Sequence, residues 1–191
     1  MVKKIPTVFK RVFERHTVVD ITEEFSSDLV REAFLRGVAT IKWDGACCAI
    51  IDENFYKRYD AKRGRMPPVG AISCSAPDPV TGHHPYWVLG DENNPADKWF
   101  VAARMATEGS LLRDGTYEAI GPHFQSNPYK LENDVLIRHG DAVVDVERNF
   151  QSVKSWLEAH KETEGLVFWL NGEPVCKIRR KDFGYPWPDK E

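Results

Sequence analysis

The chain has 191 residues, 42% hydrophobic and 29% charged, with a formal net charge of −3. That length suits one domain with a real core, and the mildly acidic balance argues against an indiscriminate nucleic-acid binder. No 18-residue apolar run is present to span a membrane, and the N-terminus carries charges in place of a signal-peptide apolar stretch. Cys47, Cys48, Cys74 and Cys176 lack paired CxxC spacing and read as reduced thiols of a cytoplasmic protein, not as a zinc site.

In chain order, residues 27–36 are predicted to form a helix capped by Ser26 or Ser27, with Leu29, Val30, Ala33 and Phe34 on one face and Gly37 as its stop. Residues 38–52 read as a strand pair or bent strand around Asp44-Gly45, with Gly45 allowing close backbone approach to a ligand. The proline-rich stretch 66–97 reads as a long ordered loop or lid. Strands are expected near 116–120, 134–138 and 142–147, and a helix over 149–160 with Asn149 as cap and Phe150, Val153 and Leu157 facing the core. Asn171-Gly172 joins two β-rich runs and signals a two-residue hairpin. In that register Leu170 faces Glu173, Phe168 faces Val175, Leu166 faces Lys177 and Glu164 faces Arg179. Glu164, Lys177 and Arg179 then share one face, with Val167, Trp169, Cys176 and Ile178 on the other; a bulge would shift the register by one.

Chemistry concentrates at Lys42, a single lysine in the apolar run Ala39-Thr40-Ile41-Lys42-Trp43-Asp44-Gly45. Burying an unpaired ammonium is unfavourable, whereas desolvation and neighbouring cations favour the neutral, nucleophilic amine. Glu164 beside Lys177 and Arg179 reads either as a salt-bridge ladder or as a polyphosphate site in which the carboxylate holds Mg²⁺. Basic residues also cluster at Lys57, Arg58, Lys62, Arg63 and Arg65, and at Lys3, Lys4, Lys10, Arg11 and Arg15, the last group reading as a solvated edge. His83 and His84 are expected to point apart, and Trp43 and Trp169 to pack in the core.

Lys42-Trp43-Asp44-Gly45 resembles motif I of the covalent nucleotidyltransferases, which comprise ATP-dependent DNA ligases, RNA ligases and mRNA capping enzymes. Gly115 to Gly121 is similar to their motif III, Glu164-Gly165-Leu166-Val167 to motif IV and Lys177-Ile178-Arg179 to motif V, in the family's order. The narrower likeness, from about Val38 to Pro188, is to the RNA ligase 1 family of small ATP-dependent 5′-to-3′ RNA ligases. Arg58-Tyr59-Asp60-Ala61-Lys62, Asn127-Pro128-Tyr129, Ile137-Arg138-His139-Gly140 and Phe183 to Pro188 carry it.

The resemblance implies an α+β nucleotidyltransferase (adenylation) domain over residues 1–191, antiparallel sheets flanked by helices, without a C-terminal OB-fold. It implies Lys42 as nucleophile toward the α-phosphate of ATP, with Arg58 or Arg63, Glu118, Glu164, Lys177 and Arg179 at the nucleotide and Glu118 and Glu164 at Mg²⁺ or Mn²⁺. The implied acceptor is RNA with 5′-phosphate and 3′-hydroxyl ends, joined by a monomeric cytoplasmic enzyme of RNA repair. Cys47 stands where many ligases carry arginine, and Thr40 where DNA ligases often carry glutamate; Leu136 to His139 is the candidate segment for stacking on adenine. A DNA ligase, a capping-type nucleotidyltransferase and a non-catalytic nucleotide- or RNA-binding module are the alternatives.

Overall fold

Among the described residues every sheet is built of antiparallel ladders, some closed by hairpins and others, such as Val38–Lys42 with Gly165–Leu170 and Ala46–Ile51 with Gly115–Ile120, joining strands distant in sequence. The computed structural model describes residues 4–15, 17–62, 64–79, 81–107 and 112–188. In order these form β1 (Phe9–Glu14), β2 (Thr17–Phe25), α1 (Asp28–Arg36), β3 (Val38–Lys42), β4 (Ala46–Ile51), β5 (Asn54–Ala61), β6 (Ile72–Ser73), β7 (His84–Leu89), α2 (Lys98–Thr107), β8 (Gly115–Ile120), β9 (Val135–Arg138), β10 (Val143–Val144), α3 (Phe150–Ala159), β11 (Gly165–Leu170) and β12 (Glu173–Arg179). Antiparallel sheets with three α-helices among the described residues make this an α+β fold, the expected class. None of these helices is long and apolar enough to cross a membrane.

The chain divides into two compact units, one built on Asp44–His139 and the other on Ile5–Trp43 with Gly140–Glu191. In the second unit a four-stranded sheet, ordered β10-β3-β11-β12, carries α1 against β11 and β12. Ser27 caps α1 by accepting from the Val30 N–H at 3.3 Å. Val30, Ala33 and Phe34 lie at i, i+3 and i+4 and are buried. Leu29, expected with them, is exposed, because it lies at the margin of that stripe, about 100° around the helix from Val30. Gly37 ends the helix because a Cβ there would stand 2.3 Å from the Trp169 carbonyl oxygen. Asn149 caps α3 as expected, and Val153 and Leu157 are buried.

The hairpin departs from the expected register. Leu170 pairs with Glu173, but Trp169 pairs with Pro174 and Phe168 with Cys176, which leaves Val175 as an extra residue. Pro174 has no N–H for the ladder and is tolerated in sheets at bulges and edges, so the bulge falls beside it. Beyond it Val167 faces Lys177 and Gly165 faces Arg179, not Leu166 and Glu164. Leu166, Phe168, Cys176 and Ile178 consequently share the fully buried face, joined by Phe34, Val30 and Leu157. Trp169, expected in the core, is half-buried and donates its indole N–H to Thr40 Oγ1 at 2.8 Å; Trp43 is likewise only partly buried.

The N-terminal hairpin β1–β2 adds Phe9, which packs on Phe25, Phe34 and Phe150 at centroid separations of 5.4, 5.5 and 5.0 Å. The segment before it lies along β12, with Val8 N–H donating to the Lys177 carbonyl and Lys177 N–H to that of Pro6. That pairing covers the edge of the sheet.

The first unit is a six-stranded sheet ordered β6-β7-β5-β4-β8-β9. Strands β3 and β4, read as one pair, belong to different sheets. The 66–97 stretch is not a lid: β7 pairs with β5 from Tyr56↔Leu89 to Ala61↔His84. Its prolines mask an alternating strand whose Pro85 and Trp87 are buried. Helix α2 covers one face, with Ala103 buried and Phe100 packed beside Phe55 and Phe124.

Phe168 is fully buried and its ring lies 5.0 Å from that of Phe34. Phe168→Ala is expected to lower the unfolding free energy by about 3–5 kcal/mol; an unchanged urea midpoint would contradict this packing.

Candidate functional site

In the second unit, Lys42 closes β3 directly opposite Gly165 of β11, and Gly165 is in turn opposite Arg179 of β12. The next row is Thr40, Val167 and Lys177. Alternation therefore places Lys42, Lys177 and Arg179 on one face of the sheet, away from the Phe168 core. Gly165 has no room for a side chain, since a Cβ would lie 2.2 Å from the Ile178 carbonyl oxygen. Just before β11, Glu164 is buried at 5% exposure, and its Oε2 accepts from the Lys42 ammonium. Lys42 also donates to the Trp43 carbonyl at 3.3 Å.

Burial, reinforced by the charges of Lys42 and Arg179, pulls the Lys177 amine down to about 8; Glu164 opposes the shift. Arg179 is held by Asp182, with Nη2 3.0 Å from Oδ1 and Nε 3.2 Å from Oδ2. Arg11 reaches the same carboxylate at 2.6 Å. Burial raises the Asp182 carboxyl, but the bonds and charges of Arg179 and Arg11 outweigh it and hold the group below the usual range. Arg11 is thus part of this cluster and not a solvated edge; Lys10, exposed and paired with Glu24, fits the edge description.

In the first unit, side chains grip the backbone of Asp44 and Gly45. Tyr129 Oη accepts from the Asp44 N–H at 2.6 Å, Glu118 Oε1 from the Gly45 N–H at 3.0 Å, and Gln125 Nε2 donates to the Gly45 carbonyl at 3.2 Å. Gly45 is required at this point, because a Cβ would stand 2.1 Å from the Ala119 carbonyl oxygen. Gln125, Ser126 and Asn127 all adopt positive φ, 46°, 60° and 53°, a strained run for three non-glycine residues. Glu118 Oε2 lies 2.8 Å from His139 Nε2, whose Nδ1 is 2.9 Å from Thr116 Oγ1. Arg58 forms a two-pronged bond to Asp60, at 2.8 and 2.9 Å, which raises its pKa. His83 approaches Asp60 while His84 contacts Ser73 and Tyr86, so the adjacent histidines do point apart.

The second unit thus brings together Lys42, Glu164, Lys177 and Arg179; Glu118 and Arg58 sit on the sheet of the first, and Arg63 lies outside the described residues. Sequence reasoning missed Arg11, Asp182, Gln125 and His139 as members of these clusters. Tyr129 and His139 stood in the stretches that carry the family likeness, but their contacts depend on long-range pairing. All four cysteines are unbridged, as expected.

Folding lowers the affinity of Lys177 for its proton, so between about pH 8 and its ordinary value near 10.5 the unfolded chain holds more protons. The stability penalty from this buried charge shrinks as pH rises through that window. In a ¹³C-detected titration of the lysine ε-carbons, one resonance should titrate near pH 8 and vanish in Lys177→Arg. Every lysine titrating near 10.5 would contradict the burial of this amine.

No curated protein matches the chain. A family model described as RNA ligase 1 matches residues 106–191, a stretch that holds Glu118, Glu164, Lys177 and Arg179. Over those residues the chain is similar to the RNA ligase 1 family, the family that its motifs resemble.

Proposed function

We propose that the chain is an ATP-dependent RNA ligase acting through a covalent lysyl-AMP adduct on Lys42, with residues 1–191 forming one nucleotidyltransferase-type adenylation domain. The observation that carries this reading is the Lys42 amine bonded to buried Glu164 on a sheet face shared with Lys177 and Arg179. The family match over 106–191 supports RNA as the acceptor.

In the first step Lys42 Nζ attacks the α-phosphorus of ATP; the N–P bond forms, the bond to the bridging oxygen breaks, and pyrophosphate leaves. Glu164 is placed to take the amine proton, since its carboxylate already accepts from that nitrogen. Lys177 opposes the charge that builds on the phosphate oxygens. Arg179, steadied by Asp182, offers a guanidinium of fixed orientation for the same anion. A 5′-phosphate of RNA then takes the adenylyl group from Lys42, and a 3′-hydroxyl displaces AMP to join the ends.

Glu164 would hold Mg²⁺ or Mn²⁺ together with the substrate phosphates, as a carboxylate oxygen suits those ions; the metal role of Glu118 rests on the family likeness alone. When bound, the ion supplies charge neutralisation at the phosphates. Arg58, Arg63 and Glu118 are assigned to the nucleotide through the family likeness. The setting we propose is a monomeric cytoplasmic enzyme of RNA repair, and the four free thiols fit a reducing compartment.

With ATP and Mg²⁺, the purified protein is expected to join 5′-phosphorylated RNA to a 3′-hydroxyl RNA end. Preferential sealing of nicked DNA would overturn the choice of acceptor. The Lys177 charge is present below about pH 8 and lost above it, so KM for ATP should rise above that pH in the wild type and stay flat in Lys177→Arg. An identical rise in both would remove Lys177 from the phosphate contact.

A further inference from the structure

We propose that Cys47, Glu118 and His139 bind one thiophilic divalent cation, of the zinc or cobalt class, through Sγ, Oε2 and Nε2. Strands β4, β8 and β9 are neighbours in the six-stranded sheet. Cys47 lies directly opposite Glu118. Glu118 pairs with Ile137 of β9, so His139, two residues on, shares its face on the diagonal. The three ligand atoms lie within 4.8 Å of one another, and all three residues are only partly buried. A tetrahedral zinc holds sulfur at about 2.3 Å and nitrogen or oxygen at about 2.0–2.2 Å, so its donors stand some 3–4 Å apart.

The surroundings orient the donors as metal ligands are usually oriented. Thr116 Oγ1 holds His139 Nδ1 at 2.9 Å, which directs Nε2 toward Glu118. Glu118 Oε1 is occupied by the Gly45 N–H, so Oε2 is the oxygen presented to the histidine at 2.8 Å. In the metal-free chain that distance is met by the imidazole Nε2–H donating to the carboxylate; with the proton gone, both atoms offer lone pairs to one ion. One thiol, one imidazole and one carboxylate favour zinc or cobalt over magnesium, whose preferred donors are oxygens. CxxC spacing is absent because the ligands come from three strands, and the fourth position is left for water or an anion.

Arg58 and Cys74 also face the Cys47 thiol, and Asp60 faces Cys74. The Arg58 charge is offset by its two-pronged bond to Asp60. Ligation through sulfur takes the thiolate, so binding releases the Cys47 thiol proton to solvent.

Protein stripped with a chelator and titrated with Co²⁺ is expected to show a sulfur-to-cobalt charge-transfer band saturating at one equivalent. Zn²⁺ should abolish the band and excess Mg²⁺ leave it. Cys47→Ser should lose the band and His139→Ala weaken binding at least tenfold, with unchanged far-UV circular dichroism. In the wild type, Zn²⁺ should protect Cys47 from alkylation, read by peptide mass. No band, a band that survives Cys47→Ser, or alkylation of Cys47 at the same rate with and without zinc would each overturn the site.

Discussion

A carboxylate buried to the extent of Glu164 needs a cation, and that requirement organises the second unit. The partner is Lys42, the last residue of a central strand. Removing either half of such a pair leaves an uncompensated charge, typically worth about 3–5 kcal/mol. Packing alone does not explain why a strand buried on its other face ends in lysine. A nitrogen that must face phosphate while a carboxylate waits for its proton does explain it, and the proposed adenylyl transfer uses both features.

The sheet makes this arrangement possible by separating its faces. One carries Leu166, Phe168, Cys176 and Ile178 into the aromatic core; the other carries Lys42, Lys177 and Arg179. Gly165, between Lys42 and Arg179, lets the strands approach without a side chain intervening. Three cations side by side repel, and the structure answers with two carboxylates, Glu164 and Asp182. Burial, reinforced by the charges of Lys42 and Arg179, makes the Lys177 amine give up its proton more readily than usual. The N-terminal hairpin contributes too, because Arg11 shares Asp182 with Arg179.

Much of this was legible in the sequence where the signal is local. The Ser27 and Asn149 caps, the Val30-Ala33-Phe34 stripe and the Asn171-Gly172 turn follow from short-range chemistry, and the structure contains each. The register past the turn was not legible from the turn alone. Pro174 moved it by one residue, so that Lys177 and Arg179 kept their common face while Gly165, not Glu164, came opposite Arg179. Strand β7 was hidden by Pro85, and the role of Arg11 by more than 160 intervening residues. His139 could not be tied to Glu118 without knowing that β9 pairs with β8 in this register. Pairings between strands distant in sequence leave no local trace.

The central claim is that Lys42 takes an adenylyl group. Incubation with Mg²⁺ and ATP labelled at the α-phosphate, followed by a denaturing gel and peptide mapping, tests it directly, provided the starting protein is first checked by mass for bound AMP. The account predicts acid-labile label on the peptide containing Lys42 and none on Lys42→Ala. Absence of label from AMP-free protein, or equal label on the variant, would contradict it.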